Sequence, residues 1–286
     1  MSEAGMAKHA VEETVVGMEG SGSDGSFRIA SVTKLADYER CVELQLAVWG
    51  YSDGDLIPKR VFIVANAIGG QVIGAFDRDV MVGFAMALPG VRDGKPYLHS
   101  HMLAVLPEYR NAGLGRRLKM AQREDALARG VDLMEWTFDP LEIKNAHLNI
   151  ARLGAIARRY MPDFYGPSTS PLQGGLPTDR LVAEWWLRSD RVRRALGEGT
   201  AEAERQNAAS GLVTDNTIEQ VTVPRAVTDW KQNPDERKLA ESLQTRNRLA
   251  LESAFARGLA ITGYRRSPEG DGTFLLGPPS GLTTGQ

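Results

Sequence analysis

The chain has 286 residues, with 34 Lys or Arg against 36 Asp or Glu, so its formal charge is −2 and bulk attraction to a polyanion is excluded as a basis for function. Hydrophobic residues make up 42% of it, enough for a sizeable core, and at about 150 residues per domain the length corresponds to one large or two modest domains. The single cysteine, Cys41, excludes an internal disulfide and a Cys-rich zinc site and points to a reducing compartment, with the cytoplasm as the default.

Residues 1–26 hold Glu3, Glu12, Glu13, Glu19 and Asp24 against Lys8 and end in a Gly/Ser-rich run, the composition of a disordered acidic tail. They contain no apolar run behind a basic start, and no stretch of the chain approaches the roughly 20 apolar residues that cross a bilayer. Neither a secretory signal nor a membrane partner is expected.

Ordered sequence begins with a short alternating strand, Phe27 to Val32, and an amphipathic helix, Lys34 to Val48. Pro58 suits the first turn of a second helix. Gln71 to Phe76, Val80 to Leu88 and Tyr97 to Val105 then read as three consecutive antiparallel strands separated by turn residues. From Gly113 to Arg129, Leu114, Leu118, Ala121 and Ala128 recur on one helical stripe, and Gly130 stops the helix. Val131 to Phe138 is a strand, Asn145 to Leu153 a helix, and Ala155 to Tyr160 and Arg180 to Leu187 are strands. The order to this point is βααβββαβαββ, a mixed α/β layer.

A short basic helix, Asp190 to Leu196, leads into a polar stretch, Gly197 to Asn216, that reads as a linker. Beyond it the pattern predicts a strand at Ile218 to Val223 and a long helix capped by Asn233-Pro234-Asp235-Glu236 and ended by Gly258. Leu259 to Tyr264 and Thr273 to Leu276 then form a strand pair. The expected organisation is a tail (1–26), a core (27–189), a helix and linker (190–217) and a C-terminal extension (218–286). The long helix is the expected contact should two copies form a homodimer.

The segment richest in chemistry is the strand–loop–helix junction around Arg110-Asn111-Ala112-Gly113-Leu114-Gly115-Arg116. Such a junction aims unpaired helix N-terminal N–H groups at one point, the glycines let a ligand approach the backbone, and the arginines add positive charge, so a pyrophosphate would be held well. A mononucleotide P-loop would need Lys-Ser/Thr after its last glycine, and a dinucleotide loop a third glycine, so neither pattern fits. The alternatives are a solvated charged face, or glycines serving only close helix-to-strand packing.

Arg110-x-x-Gly113-x-Gly115, after a strand ending Ala104-Val105-x-Pro107, resembles the signature of the GNAT superfamily of N-acyltransferases, and the element order over Phe27 to Leu187 is similar to that family's core. The stretch Glu135-Trp136-Thr137-Phe138-Asp139-Pro140-Leu141, followed by Asn145, is similar to a long-form subgroup with a C-terminal extension. The resemblance implies an α/β (α+β) fold with a mixed, mainly antiparallel sheet flanked by helices. It implies acetyl-CoA or another acyl-CoA as co-substrate, its pyrophosphate wrapped by Arg110, Asn111, Ala112, Gly113, Leu114, Gly115 and Arg116. Its pantetheine arm would pair with the backbone of Leu103, Ala104 and Val105, and a main-chain N–H near Val105 would serve as an oxyanion donor. Asn149 corresponds to an asparagine that holds the cofactor in relatives.

The acceptor implied is a primary amine of a small molecule, with an amino acid suggested by the second basic group Lys144, Arg152, Arg158 and Arg159. That group serves equally as a partner for the cofactor's 3′-phosphate or as solvated surface. Strict alternation puts His99, His101, Leu103 and Val105 on one face. An imidazole accepts a proton near neutral pH without a large shift, so His99 is the expected base and His101 its alternative. The tyrosine that relatives use as general acid falls at Ile150 and is missing; Tyr160 and Tyr165 follow it. Trp136 is a candidate for the acceptor pocket wall. The four histidines lack ligand spacing, so no metal is expected, nor a nucleic-acid partner.

Overall fold

The computed structural model describes residues 27–51, 53–198 and 216–279. The expected tail, most of the expected linker and residues 280–286 lie outside that range.

Ten strands are present among the described residues: β1 (Arg28–Ser31), β2 (Gln71–Asp77), β3 (Val80–Arg92), β4 (Lys95–Val105), β5 (Leu133–Phe138), β6 (Ile156–Met161), β7 (Arg180–Trp186), β8 (Glu219–Val223), β9 (Ala260–Arg266) and β10 (Gly272–Gly277). They form one sheet in the order β1-β2-β3-β4-β5-β7-β6-β9-β10-β8. Only β4 and β5 run parallel; the other neighbours are antiparallel. The helices are α1 (Leu35–Trp49), α2 (Lys59–Ala67), α3 (Leu114–Ala128), α4 (Ile143–Ala146), α5 (Asp190–Leu196), α6 (Val227–Gln232) and α7 (Arg237–Ala256). α4 runs on into π-helical turns over His147–Arg152. No helix among the described residues is long and apolar enough to cross a membrane.

Helix α1 stops at Gly50, whose φ of 62° suits glycine and whose N–H reaches the Leu46 carbonyl. α1 and α2 cover β2 to β4 through Cys41, Leu44, Phe62, Phe84 and Met102. On the other face α3 packs Leu114 and Leu118 against Ile73, Val82 and Ala85. The C-terminal strands extend the same sheet, with β9 joining β6 at Ala157 and Ile261. Ile261, Tyr264 and Phe274 share a core with Ala183 and Trp185. Helix α7 turns Ala240, Leu243, Leu251 and Ala254 onto that same core, while Leu239 and Leu249 on it stay exposed.

Three expectations differ from what forms. Asn233 does not cap the long helix: its side chain accepts from the Asp235 N–H at 3.1 Å, closing a turn, and α7 begins at Arg237. α6 was not expected, because six residues contain too little periodicity to read. The buried stripe of α3 includes Lys119, Gln122 and Arg123 beside Leu118 and Ala126, while Ala128 is exposed. Polar partners below the helix, such as the Leu187 carbonyl for Arg123, permit this.

Candidate active site

The site is built on the parting of two strands. β4 and β5 pair only at Leu98–Met134 and His99–Glu135, so the β5-facing edge of Leu103, Ala104 and Val105 has no partner strand among the described residues. On its other side β4 stays paired with β3, but Met86 opposes Met102 while Ala87 opposes Ser100. His101 is the extra residue of a β-bulge.

The bulge overturns the expected single face. Leu103 pairs with Ala85 and His99 with Leu88, three positions apart on β3, so Leu103 and His99 point to opposite sides of the sheet. Ser100 faces α3, where its hydroxyl donates to Gln122 Oε1 at 2.9 Å and accepts from Lys119 Nζ at 2.7 Å. A cleft of about 420 Å3 opens at the divergence, and His101, Leu103, Lys119, Trp136 and Asn149 line it whereas His99 does not. Burial lowers the pKa of both histidines. For His99, burial is the largest cause, followed by the neighbouring His101, and its pKa comes down to about 4.

At the end of β4 the chain turns through Pro107–Tyr109 and enters α3. Asn111 (φ 67°) and Gly113 (φ 75°) adopt left-handed conformations that bend the backbone before the helix. A Cβ on Gly113 would meet nothing within 4 Å, and one on Gly115 would only touch Leu103 at 3.8 Å. The glycines therefore border open space and do not serve close packing. The first turn of α3 carries no acidic residue and no side-chain cap, leaving the N–H groups of Leu114, Gly115 and Arg116 to a ligand. Ala112 and Arg110 are exposed beside them. Half-buried Arg116 keeps its Nε without a partner, and the charge of Arg152 lies close enough to act on it. An acyl-CoA fits this arrangement: bare amides and guanidinium for the pyrophosphate, an open strand edge for the pantetheine.

The remaining basic residues separate. Arg117 donates to the Phe27 carbonyl at 2.7 Å, and Arg123 is held by Leu187 and Glu198. Arg158 pairs with Glu184 at 2.9 Å and Arg159 with Glu135 at 2.6 Å, with Arg92 completing the network, so these two are not acceptor ligands. Lys144 is exposed. Tyr160 is removed as an acid: its hydroxyl donates to Asp179 at 2.7 Å, and burial and that carboxylate raise its pKa. Ile150, where the family resemblance would put a tyrosine, is fully buried. Tyr165 lines the cleft with its hydroxyl 2.8 Å from Thr137 Oγ1.

On the side away from α3, two loops close over the cleft. Thr169 donates to Asp55 through its N–H at 3.0 Å, and the Ser170 hydroxyl donates to the Trp49 carbonyl at 2.8 Å. Trp49 and Tyr51 stack with centroids 5.6 Å apart. Arg180 projects here, donating to the neutral oxygens of Asp179 (main chain) and Gln173. Sequence reasoning missed Arg180, because only the β6–β7 loop brings it to the cleft. It also missed Lys119, whose place on α3 reads as surface charge. No group of three or more His, Cys, Asp or Glu among the described residues could hold a metal.

Residues 38–149 match the model of the acetyltransferase (GNAT) family. No curated protein matches the chain. Solved structures similar to it include the ribosomal-protein-S18-alanine N-acetyltransferase of Escherichia coli, 18% identical over 55% of this chain and 92% of that one, with a TM-score of 0.45. Another is NAA60 of Arabidopsis thaliana in complex with a bisubstrate analogue, 14% identical over 56% and 98% of the two chains, with a TM-score of 0.46. A third, yncA of Salmonella typhimurium with acetyl-CoA, is 18% identical over 56% and 94%, with a TM-score of 0.45. The match supports GNAT superfamily membership for the domain that spans residues 38–149.

Proposed function

We propose that the protein moves an acyl group, most simply acetyl, from acyl-CoA to the primary amine of a small molecule that carries an anionic group, such as an amino acid. The observation that carries this reading is the parting of β4 and β5 beyond His99 and Glu135, beside a helix start whose glycines border open space. The thioester lies in the cleft and the amine enters from the side of Arg180. An ammonium has no lone pair, so a base must take a proton as the nitrogen attacks. His101 fills that role: it stands on the cleft wall, and burial keeps it unprotonated at neutral pH. A main-chain N–H on the open edge near Val105 would stabilise the oxyanion. With Ile150 buried where relatives carry an acid, the thiolate takes its proton from water.

Two features support a small anionic acceptor. The Asp55–Thr169 and Trp49–Ser170 bonds tie two loops together beside the cleft, which leaves less room for a peptide than for a small amine. Within the cleft, Arg180 is a guanidinium whose side-chain partners are neutral, suited to a carboxylate. The substitution of Ile150 for an acid favours a second reading, an acyl-CoA-binding module without catalysis. Mass-spectrometric turnover of a panel of amino acids, polyamines and peptides with acetyl- and succinyl-CoA tests both. Amino acids are expected to turn over fastest; peptides turning over faster would overturn the acceptor class, and binding without any turnover would select the module.

A further inference from the structure

Lys119 is 2% exposed and lines the cleft, yet it forms no ion pair among the described residues. Its Nζ donates to Ser100 Oγ and lies 3.6 Å from the centroid of the Trp136 ring. Lys231, the other buried lysine, is by contrast held by two carboxylates, Asp139 and Glu142. Building on the acyl-CoA reading above, we infer that Lys119 is an internal acyl acceptor, its Nζ taking the acyl group of a bound thioester to become an N-acyl-lysine.

Three features converge on this step. Ser100 adjoins the bulge residue His101 at the divergence of β4 and β5, so its partner Nζ stands where the open edge of β4 leads a pantetheine arm. α3 begins at the glycine loop, and at about 1.5 Å per residue Lys119 lies roughly 6 Å along the axis from Gly115, on the helix that fixes the cofactor. Without a carboxylate, burial favours the uncharged amine, which has the lone pair that nucleophilic attack requires; desolvation lowers its pKa well below the ordinary value. Attack by Nζ on the thioester carbon forms the C–N bond and breaks the C–S bond. The proton released from nitrogen passes to the thiolate, directly or across the Ser100 hydroxyl. The products are acyl-lysine and CoA thiol, with no other reactant.

Acylation removes the amine and adds the acyl chain to the cleft wall beside Trp136, so it also narrows the site. The test is peptide mapping of the full chain incubated with acetyl-CoA and no added amine, alongside calorimetry of acetyl-CoA binding. Lys119 is expected to gain one acetyl group about tenfold faster or more than exposed Lys144, the reference for uncatalysed acylation. Gly113→Glu should bring Lys119 down to the Lys144 rate. If acetyl-CoA binds and Lys119 stays unmodified, or gains acetyl no faster than Lys144, the inference fails while the acyl-CoA reading stands. If no binding heat is seen with any acyl-CoA, both fail.

Discussion

The rings of His99 and His101 lie with centroids 6.0 Å apart and tilted by 40°, yet only His101 reaches the cleft. One inserted residue separates the two roles, since the bulge places His99 in register with Leu88 and Glu135, away from the edge where a thioester would lie.

His101→Ala is therefore expected to lower kcat by about 10²- to 10⁴-fold, the usual contribution of a positioned base, with acetyl-CoA affinity retained. His99→Ala should cost less than about tenfold, acting only through the packing around the bulge. Steady-state kinetics with calorimetry checks both; equal losses in the two variants would place the base elsewhere.

Acid should act on stability and rate together. A histidine that titrates at about 4 in the folded chain and near 6.5 when unfolded binds fewer protons folded than unfolded between those values. His99 thus contributes stability that is present above pH 6.5 and is lost progressively as pH falls toward 4. His101, shifted in the same direction by burial, should keep kcat/KM level through neutrality, with the acid limb below its ordinary value. Denaturant titrations from pH 7 to 4 are expected to show His99→Gln with a shallower decline than the parent chain.

The junction between β4 and α3 is legible in the amino-acid sequence, because left-handed backbone and bare helix amides are written in residue types: Asn111, Gly113, Gly115 and the flanking arginines. The side of the sheet on which His99 lies is not. A bulge is fixed by pairing with β3, and no local residue announces that Ser100 and Met102 will flank an extra position. The same holds for β9, whose neighbour β6 lies about a hundred residues earlier. Lys119 and Arg180 stay hidden for a related reason: a charged residue is read as solvated until the tertiary fold closes over it.

Gly113→Glu should abolish acyl-CoA binding, because it places a carboxylate at the anion site and a side chain where φ is 75°. Gly113→Ala separates the two effects. It adds no charge and costs about 1–2 kcal/mol of backbone strain, so its binding should weaken measurably without vanishing. Calorimetry with acetyl-CoA and with CoA tests the pair; unchanged affinity in Gly113→Glu would remove the loop from the binding site.

Arg180→Gln should raise the acceptor KM while leaving the acetyl-CoA KM unchanged. A hydrogen bond to a charged group is worth about 1.5–3 kcal/mol, or roughly ten- to hundredfold in affinity. The effect should disappear for an acceptor amine that lacks the anionic group, which a purely structural role for Arg180 would not produce.

The C-terminal extension is tied to the cleft by Lys231, whose Nζ lies 2.9 Å from Asp139 and 2.8 Å from Glu142, two residues that line it. Burial works against this charge, but the two carboxylates outweigh it and raise the lysine pKa. Lys231→Met leaves Asp139 without its partner at a site 10% exposed, so a loss of about 3 kcal/mol is expected, as for breaking a buried ion pair. Glu142→Gln should cost less, because its side chain is 44% exposed and solvent replaces the lost attraction. Urea unfolding with an unchanged slope would report the stability difference, and a rise in acceptor KM in Lys231→Met at temperatures where it is folded would show that the extension shapes the cleft. A Lys231→Met chain that unfolds at the parent midpoint with the parent KM would show that β8 to β10 and α7 act on the site through neither.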